Sequence, residues 1–156
     1  MSDHLLEVEN LSIRFHSRGK IVNAVKGVSW HLDRGETLAI LGESGSGKSV
    51  SASAVMGLID TPPGEIVSGS IRFDGREILN LPSRAQRELN GSRIAMIFQD
   101  TLAALNPVYT VGHQISESMT AHGVQPDQAR TKALDLLTRV GIPLSLIHIS
   151  EPTRPY

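Results

Sequence analysis

The run Gly42-Glu43-Ser44-Gly45-Ser46-Gly47-Lys48-Ser49 fits G-x-x-x-x-G-K-[ST] at each fixed position. The chemistry such a run performs is the cradling of nucleotide phosphates. Gly42, Gly45 and Gly47 let the backbone wrap closely around an anion, so that the N–H groups of Glu43, Ser44, Ser46 and their neighbours point into the loop. Lys48 supplies a mobile point charge for the β- and γ-phosphates, and the Ser49 hydroxyl is a ligand for Mg²⁺. Val50 stands where many such loops have Thr, but its backbone N–H can still serve a phosphate. The competing reading is a Gly/Ser-rich turn that fits by chance. The elements on either side decide between them.

Thr37 to Leu41 is short, almost wholly apolar and bounded by Glu36 and Gly42, the pattern of a strand buried on both faces of a parallel sheet. Small residues from Lys48 to about Leu58 predict a helix whose positive N-terminal end meets the same anion. Upstream, Leu6, Val8, Leu11, Ile13 and Phe15 predict one strand, and Val22, Val25, Val28 and Trp30 a second, with the Asp33-Arg34-Gly35 turn after it. Downstream, Thr61-Pro62-Pro63-Gly64 breaks the chain, Ser70 to Phe73 is a strand, and Asp74-Gly75 is a hairpin signal. Ile94 to Phe98 reads as a second buried strand. Ser83–Leu89, Val111–Met119 and Pro126–Val140 read as helices; the last carries Ala129, Ala133, Leu136 or Leu137, and Val140 at helical spacing, with Gly141 as its C-terminal cap.

The 156 residues correspond to about one domain. A net charge of −1 lacks the basic footprint of a nucleic-acid binder, and zero cysteines exclude disulfides and thiolate metal sites. The six histidines show no i, i+4 pair or other ligand spacing, which predicts no histidine metal site. Arg84, Arg87 and Arg93 read as a solvated face. Neither a secretory leader nor a run of about 18 apolar residues is present, so the expectation is a cytoplasmic protein that meets membranes through a partner.

With Gly42–Ser49, the Glu36–Leu41 run before it and Met96-Ile97-Phe98-Gln99-Asp100 together, the chain resembles ATPase subunits of ABC transporters. Ser68 to Gly75 and Leu105-Asn106-Pro107 resemble the branch energising uptake of oligopeptides, dipeptides and related solutes. The resemblance implies an α/β P-loop NTPase core with an N-terminal antiparallel β subdomain. It spans residues 5–99 for that subdomain and core, and 100–143 for the start of a helical subdomain. It also implies ATP and Mg²⁺ as cofactors, and as partners the transmembrane permease subunits, a second ATPase subunit (identical or not) and, indirectly, a solute-binding protein. The protein would sit peripherally on the cytoplasmic face of the membrane. By resemblance, Gln99 contacts Mg²⁺ and the attacking water, which makes it a catalytic group beside Lys48 and a metal-site residue beside Ser49. Its other reading is a polar residue closing a buried strand. Phe15 takes the place of an aromatic ring against adenine, or simply faces a core.

The resemblance stops after Gly141-Ile142-Pro143, and residues 144–156 resemble translated sequencing-adapter sequence, so they are expected to be non-native. Thr101 replaces a common Pro of the family. No L-S-G-G-Q-type signature, no strand ending in Asp-Glu and no later switch histidine occurs. The expectation is a chain that binds ATP and hardly hydrolyses it, because no residue is assigned to activate water. The alternatives are a truncated nucleotide-binding remnant without catalysis, or another P-loop enzyme, such as a small-molecule kinase with Asp100 as metal ligand. The apolar faces of Thr37–Leu41 and Ile94–Phe98 would then lack their sheet neighbours. We expect the purified 156-residue chain to melt broadly or aggregate in calorimetry; a sharp, cooperative transition would refute this.

Overall fold

The computed structural model describes residues 4–17, 19–99 and 105–142. Two compact units are present, Met1–Asn90 and Gly91–Tyr156. The first is built on an antiparallel sheet of β1 (Leu6–Ser17), β2 (Lys20–Leu32), β3 (Gly64–Phe73) and β4 (Arg76–Glu77), in the order β2-β1-β3-β4. Both long strands forecast from alternation form, and β3 begins at Gly64, six positions before the expected Ser70.

The central strand β1 carries an irregularity visible in its sequence. Its buried residues are Val8, Leu11 and Ile13, so the two-residue alternation skips a place between Val8 and Leu11. The extra residue is absorbed as a bulge: the register shifts there against both neighbours, and Asn10 takes a left-handed φ of 47°. Its N–H donates to Ser29 Oγ at 2.8 Å, and Ser68 Oγ donates to its carbonyl at 3.3 Å. Opposite, Gly69 lies so close that a Cβ would stand 2.6 Å from Leu11 Cα. After the bulge Leu11 and Ile13 return to the side already holding Val8, and Ile71 and Phe73 of β3 complete this core.

The Asp74-Gly75 turn has positive φ at both residues, 52° and 74°, as a two-residue hairpin requires. Helices α1 (Lys48–Val55) and α2 (Ser83–Leu89) complete the unit. They are joined by a polar relay: Gln86 Nε2 donates to Asn90 Oδ1, and Asn90 Nδ2 donates to the Met56 carbonyl at 2.9 Å. Gly57 makes room for Gln86, whose Cδ would lie 2.8 Å from an added Cβ.

In the second unit α3 (Val111–Thr120) and α4 (Pro126–Arg139) pack together. Thr110 caps α3 by accepting from the His113 N–H at 3.3 Å. Along α4 the buried residues are Ala129, Ala133 and Leu137; Leu137 is 3% exposed and Leu136 is 37%, which settles the ambiguity between them. Pro126 stands in the first turn and Gly141 follows with φ 75°, as the sequence reading holds.

The two apolar runs read as buried parallel strands depart from expectation. Among the described residues, 37–41 and 95–98 join no ladder, and Leu41 and Ile97 are 90% and 89% exposed. A strand buried on both faces needs hydrogen-bonded neighbours, and among the described residues neither run is paired with one. No described helix is long and apolar enough to cross a membrane.

Across β1 and β3, Arg14 faces Glu65 and grips it with two bonds, Nε to Oε2 at 2.7 Å and Nη2 to Oε1 at 2.8 Å, while His16 Nε2 meets the same carboxylate at 2.8 Å. Arg14 and then His16 hold the Glu65 carboxyl at about 2, below its ordinary 4.5. A folded-state value depressed in this way contributes stability above pH about 4.5 that is lost as pH falls towards 2. The pair is only half-buried, so solvent screening keeps the contribution small. Glu65→Gln should therefore lower the denaturation midpoint at pH 7 slightly and leave it unchanged near pH 2. An equal deficit at both pH values would contradict this assignment.

Candidate functional site

The glycine-rich run is set by β2 and by the first turn of α1. Gly47 immediately precedes the helix in a left-handed conformation, φ 90° and ψ 3°. A Cβ on it would stand 2.3 Å from the Ala24 carbonyl oxygen and 3.2 Å from Val25 Cγ2, so the loop is seated against β2 at a spacing only glycine allows. Gly45 also has positive φ, 79°, and a Cβ on Gly42 would lie 2.7 Å from Ser46 Oγ. The loop closes on itself where the Ser46 N–H donates to the Glu43 carbonyl at 3.2 Å.

Lys48 turns its ammonium into this loop. Its Nζ donates to the carbonyls of Gly42 at 2.6 Å and Glu43 at 2.7 Å, and to Ser46 Oγ at 3.2 Å. These three oxygens hold a cation at the loop's mouth, half-buried, while Gly42 through Ser46 are exposed. Ser49 is exposed on the first turn and Val50 is half-buried behind it. Ser51 is 5% exposed and back-bonds its hydroxyl to the Gly47 carbonyl at 3.0 Å, which fastens the turn carrying Lys48. No acidic side chain occupies the first turn of α1 and no side chain caps it, so its first N–H groups and positive dipole end are left for an anion.

Gly42–Val50 is thus brought together as one constellation. Phe15 lies on β1 in the same unit, half-buried, its ring edge 3.1 Å from the position a Gly64 Cβ would occupy. Gln99 belongs to the second unit, exposed at the end of the Ile94–Phe98 run. Asp100, Thr101 and residues 144–156 lie outside the described residues. The following loop is held by Gln114, whose Oε1 accepts from the Asn106 N–H while Nε2 donates to the Asn106 and Tyr109 carbonyls.

One cluster escaped the sequence reading. His4, His31 and Asp33 converge, their ligand atoms all within 4.8 Å of one another, a grouping that histidine spacing along the sequence does not reveal. The separation of His4 from His31 is too long for any helical or turn motif, so only strand pairing could reveal it.

The architecture is that of an ABC ATPase. The ATP-binding cassette MJ0796, solved as a dimer in a post-hydrolysis state bound to ADP and Pi, aligns with a TM-score of 0.75 at 20% identity, covering 93% of this chain and 61% of that one. CbiO1 of Clostridium perfringens, part of the ABC transporter complex cbiONQ, aligns at 0.63 and 28% identity over 94% of this chain and 54% of its own. Residues 25–151 match the ABC transporter family, and the chain belongs to that family. It is 47% identical over 141 residues to the oligopeptide transport ATP-binding protein OppD of Bacillus subtilis, covering 90% of this chain and 39% of OppD. It is 44% identical over 140 residues to the dipeptide transport ATP-binding protein DppD of Escherichia coli, covering 89% and 42% respectively. The chain thus spans about two fifths of the length of these curated relatives.

Gly47→Ala should destabilise the first unit well beyond the cost of a left-handed alanine alone, which is about 1–3 kcal/mol. Gly19→Ala is the control, since Gly19 has φ 76° with nothing within 4 Å of an added Cβ. Equal losses in chemical denaturation would mean that the Ala24 contact does not constrain the loop.

Proposed function

We propose that this chain is the phosphate-binding part of an ABC importer's ATPase subunit, with MgATP as its ligand and uptake of peptides or related solutes as the process it drives. The observation that carries this reading is Lys48, whose ammonium is held by Gly42, Glu43 and Ser46 above the uncapped end of α1. A triphosphate entering the loop exchanges those neutral oxygens for anionic ones, which an ammonium binds more strongly. Backbone N–H groups from Gly42 to Val50, opened by Gly45 and Gly47, complete the anion cradle. The Ser49 hydroxyl, exposed on the first turn, is the Mg²⁺ ligand.

Gln99 is assigned to the metal and the attacking water, and Phe15 to the adenine face. The Gln99 role follows from the family resemblance, as does that of Phe15. Lys48 is the catalytic cation, because charge developing on the transferred phosphoryl group falls at its ammonium. Within the 156 residues no Asp-Glu strand end or signature sequence occurs, so these residues bind ATP and contribute little turnover by themselves. In the longer protein two such subunits close around two ATP molecules, each loop facing the signature of the other. Hydrolysis then resets permease subunits that receive solute from a binding protein, and the ATPase lies on the cytoplasmic face. Support for the peptide branch comes from OppD and DppD, similar over nearly the whole of this chain.

Lys48→Ala removes one charge-assisted contact of about 1.5–3 kcal/mol, so MgATP affinity measured by titration calorimetry should fall about tenfold to a hundredfold. Unchanged affinity would overturn the assignment of Gly42–Ser49 to phosphate.

A further inference from the structure

Outside the glycine-rich loop, the end of β2 gathers two imidazoles and a carboxylate. Antiparallel pairing places Leu6 opposite Leu32, and the Leu5 N–H donates to the Leu32 carbonyl at 2.9 Å. These bonds draw the chain just before β1 alongside the end of β2. His31 and Asp33 are two residues apart there, the spacing that puts side chains on one face of an extended chain. His4 stacks on His31 with ring centroids 3.9 Å apart and interplanar angle 24°, and its Nδ1 lies 2.5 Å from Asp33 Oδ1.

The turn is fixed in a way that leaves this carboxylate aimed at the histidines. The Asp33 N–H donates to Glu36 Oε2 at 2.7 Å, and Arg34 is drawn away by its ion pair with Asp74. The carboxylates of Asp33, Glu7 and Glu36 place negative charge around His4. Two cofacial imidazoles near three carboxylates form a region of negative potential with two soft nitrogen donors. The cluster is half-buried at His4 and exposed at His31 and Asp33, so an ion and its waters can reach it.

We propose that His4, His31 and Asp33 form a surface site for a late first-row divalent cation, with zinc as its representative. Two imidazoles and one carboxylate are a set that zinc accepts with a water in the fourth position, and that Mg²⁺, which prefers oxygen, does not. Zinc–ligand distances of about 2.0–2.2 Å require ligand atoms about 3.3–3.6 Å apart in a tetrahedron. The three groups already lie within 4.8 Å, so unstacking the two rings and rotating the exposed His31 and Asp33 side chains closes the set without moving the strands. The ion would take the place of the His4–Asp33 hydrogen bond, and would tie the start of β1 to the end of β2. This site is separate from the glycine-rich loop and does not depend on the function proposed for it.

Titration of the full 156-residue chain with zinc chloride, without nucleotide, tests the site. One equivalent should bind, measured as bound against free zinc at equilibrium. His4→Ala, His31→Ala and Asp33→Asn should each weaken binding about tenfold or more, at least the loss usual for a displaced supporting group. His4 precedes β1, so His4→Ala keeps the test independent of folding of the sheet. His113→Ala and Lys48→Ala should bind zinc like the native chain. No binding at all, or binding of equal strength in His4→Ala and the native chain, would overturn the proposal.

Discussion

The placement of the glycine-rich loop and of helix α1 on the sheet depends on the close approach of Gly47 to the Ala24 carbonyl. Helix α1 starts where it does because the chain can pass β2 at this one point only without a side chain, in a backbone conformation that side chains disfavour. From that fixed point Ser51 fastens the first turn, Lys48 is directed into the loop, and Ala54, Val55 and Met56 reach the core. The loop and the start of α1 are thus positioned on the sheet by one steric condition. The hydrogen bonds of Lys48 refine the arrangement rather than create it.

The sheet that supplies this anchor obtains its buried face through a bulge. Without the bulge that absorbs the extra residue at Asn10, the strand would bury Val8 and turn Leu11 and Ile13 outwards, because a one-residue slip exchanges the two faces. The left-handed Asn10, its bonds to Ser29 and Ser68, and the bare backbone of Gly69 together restore the alternation. Both ends of the sheet then carry polar clusters. Arg14, His16 and Glu65 gather at one, and His4, His31 and Asp33 at the other. Each exists because antiparallel pairing juxtaposes residues remote in sequence.

Leu38, Ile40 and Leu41 on one side, and Ile97 and Phe98 on the other, have the composition of buried strands and the exposure of surface. Composition fixes what such a run needs, namely apolar cover and ladder partners; it does not supply them. The relatives are more than twice as long as this chain.

Local chemistry was sufficient for much of this protein. The fixed positions of Gly42–Ser49, the alternation of β1 and β2, the Asp74-Gly75 turn and the Pro126 to Gly141 frame of α4 each express a constraint acting over a few residues. They were therefore readable, to within a few positions, from the sequence by itself. Family membership was readable for the same reason, since its motifs are short and contiguous. Other features required the folded chain: the choice of Leu137 over Leu136, the seat of Gly47 on β2, the grip of Arg14 on Glu65, and the meeting of His4 with His31 and Asp33. These depend on register and on the packing of one element against another. Residue types and spacing decide what a segment can become, and only tertiary structure decides what it touches, because contacts between distant residues are set by pairing geometry that no local pattern encodes.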